Sequence, residues 1–173
     1  MSLSTEIKDL IPANFPGNSR VWVYQSSRPF SVQQALEINE QLKQFYLQWM
    51  VHGKEVKGWA GLLFNRFIIL MADESAHEVS GCSIDSSVRV LKSIERQYEA
   101  KLFDRLSITF LISDKPEALP MNQVQYALDK GYISGDTLLF NNLVDNKKDL
   151  LDNWLQPLSQ SWLSSRLNLK VAE

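Results

Sequence analysis

A chain of 173 residues with 45% hydrophobic and 22% charged side chains has the composition of one globular domain, long enough to bury a sizeable core. Its formal charge of −2 excludes a dominant basic surface, and with it nucleic acid as the expected partner. The single cysteine excludes an internal disulfide, and no run reaches the roughly 18 apolar residues of a membrane span, so a cytoplasmic protein without membrane insertion is expected.

The first ten residues, M-S-L-S-T-E-I-K-D-L, lack the basic start and apolar run of a signal peptide. Residues 1–18, with Pro12, Pro16 and Gly17, read as an irregular arm. Arg20–Ser26 then predicts a strand, with Val21 and Val23 on one face and Trp22 and Tyr24 on the other. Ser31 followed by Gln34 resembles a capping box. The helix it opens is expected to reach about His52, with Ala35, Ile38, Leu42, Phe45 and Trp49 as its apolar stripe and Gly53 as its stop.

Residues 56–64 and 67–72 predict two strands joined by a tight turn at F-N-R-F, and Gly58 and Gly61 point to a bulge in the first. Ile84, Val88, Leu91, Ile94, Tyr98 and Leu102 recur at three- and four-residue steps, which lines them along one side of a helix capped by Ser83 or Asp85. Leu106, Ile108, Phe110 and Ile112 then alternate with Ser107, Thr109 and Leu111, the period of a strand.

Strand, helix, strand, strand, helix, strand is the ferredoxin-like βαββαβ order, so the expected class is α+β with both helices on one face of a four-stranded antiparallel sheet. Trp22, Tyr24 and Trp59 are assigned to the opposite face. Further on, 122–130 reads as a helix closed by Gly131, 137–140 as a short strand, and 145–167 as a helix interrupted by Pro157. The expectation is a single domain over 1–173, with an α+β core at 19–112 and a mainly helical extension at 113–173. The stripe Leu151, Trp154, Leu155, Leu158 and Trp162 reads as core, with part of it open to a dimer.

The polar chemistry concentrates between Asp73 and Phe103. S-G-C-S-I-D-S-S precedes or opens the central helix, where free N–H groups and a partial positive charge attract anions. Ser80, Gly81, Ser83, Ser86 and Ser87 are therefore candidate anion-binding residues, although Ser and Asp are also what a helix start prefers for capping. The same setting favours the thiolate of Cys82, making it a candidate nucleophile with His77 or His52 as base. Asp73, Glu74, His77 and Glu78 match no metal motif, and neither a metal nor a cofactor is expected. G-x-x-x-x-G-K-[ST] and G-x-G-x-x-G are both absent.

R-V-W-V-Y-Q, W-M-V-H-G, S-G-C-S-I-D-S-S-V and L-F-D-R-L together resemble a family of short uncharacterised bacterial proteins, some labelled "ABC transporter ATPase". The resemblance covers roughly residues 19–110 and brings no catalytic residue with it. It implies an accessory role beside a transporter ATPase. From the residues themselves the expected function is non-catalytic binding of a partner, a second copy or a small anion. The alternative is a thiol-dependent enzyme centred on Cys82.

Overall fold

The computed structural model describes residues 3–51 and 53–169. In chain order the elements are α1 (Leu3–Leu10), β1 (Arg20–Gln25), α2 (Val32–Leu47), β2 (Met50–Val51), β3 (Lys54–Glu55), β4 (Lys57–Leu63), β5 (Phe67–Asp73), α3 (Gly81–Tyr98), β6 (Ser107–Ile112) and β7 (Lys115–Pro120). α4 (Val124–Asp129), β8 (Leu138–Phe140), α5 (Lys147–Asn153) and β9 (Leu155–Pro157) follow. The α+β class holds, with two main antiparallel sheets and a small β2–β3 ribbon. Among the described residues no helix is long and apolar enough to cross a membrane.

The chain divides into two compact units, the first made of residues up to 104 with 143–151, the second of 105–142 with 152 onward. In the first unit the sheet order is β1-β5-β4, all antiparallel. The fourth strand expected beside β1 forms as β6, but it hydrogen-bonds to β7 and β8 in the second unit. The free side of β1 is instead stitched at its two ends, by bridges from Arg20 to Asn146 and from Gln25 to Phe103. Local alternation specifies that a segment is a strand. It does not specify which neighbour accepts its hydrogen bonds.

Both helices pack on one face of the first sheet. Ile38 and Leu42 of α2 and Leu91, Ile94 and Tyr98 of α3 share one buried cluster with Ala60 of β4 and Ile68, Leu70 and Ala72 of β5. Trp22 and Tyr24 also pack against this cluster, so their assignment to the far face is corrected: Trp22 meets Trp49 edge-on, and Tyr24 meets Phe103. A strand presents large aromatics to whichever face offers depth, and here the helices supply it.

The glycines of β4 are also reassigned. Its register with β5 runs unbroken from Lys57↔Asp73 to Leu63↔Phe67, with no bulge. A Cβ on Gly58 would lie 2.5 Å from the Trp49 ring, and one on Gly61 would lie 2.5 Å from the Trp59 ring. Each glycine makes room for an indole. The β4–β5 turn places Phe64 and Asn65 at φ 53°, closed by Arg66 N–H donating to the Leu63 carbonyl at 3.1 Å.

Two predicted helices end early. α2 stops at Leu47, because the Trp49 carbonyl accepts from the Val56 N–H at 2.9 Å and the chain there is already extended. Gly53, at φ +75°, serves the β2–β3 turn and not the helix end. In place of one long helix over 145–167 stand α5, β9 and two 3-10 turns, and Leu155–Pro157 pairs with β8. Pro116 and Pro120 hid β7, which tolerates them as the outer strand of its sheet. Trp154 and Leu158 are fully buried, and Trp154 packs edge-on against Phe140.

The N-terminal arm is less irregular than expected. It begins with α1, and its loop is gripped by two lysines. Lys147 Nζ donates to the carbonyls of Pro12 and Phe15 at 2.7 Å and of Ala13 at 3.4 Å, while Lys57 Nζ donates to Asn14 O at 2.8 Å. Burial, and secondarily the nearby Lys57, hold the Lys147 ammonium below the usual lysine range.

Candidate functional site

The central helix begins at Gly81, three residues before the earliest start expected. Ser80 is its cap, accepting from Ser83 N at 3.3 Å. Taking S-G-C-S-I-D-S-S into the first turns rotates the inner face. The buried stripe becomes Ser83, Ser87, Leu91, Ile94 and Tyr98, with small residues at one end and a large one at the other.

That gradient shapes what lies between α2 and α3, which run antiparallel. At the tyrosine end the gap is filled. Tyr98 Oη donates to Glu37 Oε2 at 2.8 Å and accepts from Gln41 and Gln97 at 3.2 Å. Arg28 donates to the Tyr98 carbonyl and to Gln34, which closes the helix terminus. Burial first, and then Glu37, push the Tyr98 hydroxyl above its usual range, while hydrogen bonds from Gln33 and then Tyr98 hold the Glu37 carboxyl below its own.

At the serine end Trp49 reaches across instead, its Nε1 donating to the Ser83 carbonyl at 3.0 Å. Above it the helices leave an open groove of about 700 Å³. Cys82, Ser86, Arg89 and Ser93, at steps of four, three and four, form the α3 wall. Gln41, Gln44 and Gln48 form the α2 wall, and Phe45 packs beside Trp49 at 5.2 Å between ring centroids. Arg89 is the only charged side chain among the lining residues. The groove can therefore take an apolar ring on its aromatic side, hydrogen-bond it from amides and hydroxyls, and neutralise one negative charge.

The structure brings together two of the residues singled out by sequence, Cys82 and Ser86, both on this wall. Cys82 is exposed, and among the described residues no hydrogen bond joins it to His77, itself exposed in the loop before α3. His52 lies outside the described residues. Ser83 and Ser87 turn inward: Ser87 Oγ donates to the Ile84 carbonyl at 2.6 Å, and Ser83 Oγ lies 3.2 Å from that of Ser80. Gly81 is exposed beside the cap. Ser86 Oγ donates to the Ser83 carbonyl at 2.7 Å, and the residue lines the groove.

The acidic loop is tied down locally. Asp73 accepts from the Ser75 N–H at 3.0 Å and from its hydroxyl, and these bonds, ahead of Lys57 at 3.5 Å, hold its carboxyl below the usual range. Glu74 accepts from Arg20 and from the Val79 N–H, both at 3.4 Å. Among the described residues no three His, Cys, Asp or Glu side chains gather as a metal site would need. Sequence reasoning did not single out Arg89 or the three glutamines. The readable signal was a shared helical stripe through 82, 86, 89 and 93. No family model, no curated protein and no solved structure matches the chain.

Proposed function

We propose that this chain is a cytoplasmic, non-catalytic binding protein whose α2–α3 groove takes a small amphiphilic anion, an aromatic or aliphatic body carrying one carboxylate or phosphate. One observation carries the reading: a groove of about 700 Å³ with Phe45 and Trp49 on its apolar side and Arg89 as its lone charge. An arginine offers a carboxylate or phosphate two parallel N–H donors, and Gln44, Gln48 and Ser86 stand within the same groove. The cytoplasmic placement rests on the single cysteine. For the first unit we propose a ferredoxin-like ancestry, supported by the β1-β5-β4 order and the antiparallel helices on one face.

The test uses phenyl phosphate and benzoate as probes, with benzyl alcohol as the neutral counterpart, followed by amide chemical shifts. Binding is expected to move the resonances of Gln44, Gln48 and Arg89, with benzyl alcohol at least about tenfold weaker. Arg89→Ala should abolish the preference for the anion while leaving the fold intact. Anion affinity unchanged by that substitution sinks the proposal.

The exposure of Cys82 on the groove wall favours a second reading, thiol chemistry at that position. Alkylation of Cys82 no faster than of a free thiol in an unfolded peptide would remove it. The accessory role implied by the family resemblance stands or falls on whether a transporter ATPase co-purifies with the tagged chain.

A further inference from the structure

The outward side of α2 carries Leu36, Glu40, Lys43 and Leu47, spaced four, three and four residues apart. At 3.6 residues per turn these four fall within about 60° of one another around the axis, in a stripe about 16 Å long. It lies away from the buried Ala35, Ile38 and Leu42, and Glu40, Lys43 and the two leucines take no part in lining the groove. Leu36 is 64% and Leu47 65% exposed, two large aliphatic side chains in water on a helix whose inner face is packed. Among the described residues neither Glu40 nor Lys43 forms an ion pair; Glu40 accepts from Gln44 Nε2 at 3.3 Å.

The spacing is the same read from either end. A twofold axis crossing between residues 41 and 42 sets Leu36 against Leu47 of a second copy and Glu40 against its Lys43, every contact occurring twice. We propose that this face of α2 binds a second copy of the same chain, the two α2 helices lying antiparallel. A parallel pairing would align Glu40 with Glu40 and Lys43 with Lys43, so charge selects the antiparallel arrangement. The leucines supply burial at both ends and the ion pairs fix the register between them. One helix pair falls short of the roughly 1,000 Å² of a stable interface, so the dimer forms in the micromolar-to-millimolar range and weakens with salt.

Sedimentation equilibrium of the full chain at low salt tests this directly. The unaltered chain should dimerise with rising concentration, and Glu40→Lys or Lys43→Glu alone should weaken dimerisation by about tenfold or more. The double variant E40K/K43E restores complementarity and should return to within about threefold of the original. The two single variants should also form a mixed dimer when combined. All of these positions are exposed, so circular dichroism should show an unchanged fold. A chain that stays monomeric into the millimolar range overturns the proposal. So do single variants that associate as tightly as the original, or a double variant that fails to recover.

Discussion

The antiparallel pair α2 and α3 is sealed at one end and open at the other, although both ends belong to the same two helices. At the sealed end Tyr98 spans the gap and its hydroxyl joins Glu37, Gln41 and Gln97. At the open end Ser83 and Ser87 occupy the buried stripe and cannot span it, so Trp49 leaves α2 and reaches over to the Ser83 carbonyl. The groove is what is left above that indole. Side-chain volume along one helical stripe thus decides where two helices close and where they leave a groove open.

The strongest way to break this contrast is Trp49→Ala. Trp49 is 2% exposed, touches Trp22 and Phe45, and supplies the bond to α3. Its loss should cost about 3–5 kcal/mol, read by urea denaturation, and should destroy any binding at the groove. Gly58→Ala approaches the same ring from the sheet. A Cβ 2.5 Å from the indole forces it outward, so about 1–3 kcal/mol of destabilisation is expected together with a shift in tryptophan fluorescence.

Tyr98→Phe tests the sealed end and should cost about 1 kcal/mol near neutral pH, since the phenyl ring keeps its packing. Its pH dependence is the sharper reading. The native state raises the Tyr98 pKa above 10.0, so it holds that proton more tightly than the unfolded chain. The stability this contributes is complete below pH 10.0 and fades as pH rises through the raised value. Urea melts at about pH 8 and about pH 11 should therefore show a smaller alkaline loss in Tyr98→Phe than in the original chain.

Acid should act through Asp73 instead. Its folded pKa lies below the ordinary 3.8, so its contribution is present above that pH and is lost as pH falls toward the lowered value. Asp73→Asn should flatten that acid limb. The smallest effect is expected from Ser86→Ala, within about 0.5 kcal/mol, because its hydroxyl only bonds back to the turn before it. If probe affinity falls in that variant while stability does not, Ser86 belongs to the ligand and not to the fold.

Much of the first unit was legible from spacing. The Ser31–Gln34 capping box forms in full, β1 alternates as read, and Leu91, Ile94 and Tyr98 lie on the buried side of α3. The candidate site was legible only in part, as Cys82 and Ser86. Its arginine and glutamines look like any solvated helix face until a second helix is placed opposite. In the C-terminal third the helix before Gly131 and the short strand at 138–140 form as read, whereas the single helix over 145–167 failed for a related reason: Leu, Trp and Leu at helical steps across a proline fit α5 followed by a strand equally well.

What the amino-acid order determined by itself was local: which stretches coil or extend, where helices are capped, and which side of each is apolar. These follow from contacts within a few residues, where backbone sterics and capping bonds are settled. Only the tertiary structure decided that β6 pairs away from β1, that Trp22 and Tyr24 face the helices, and that the groove opens over Trp49 and not over Tyr98. Those outcomes depend on volumes and hydrogen-bond partners brought from distant parts of the chain, and periodicity carries no information about them.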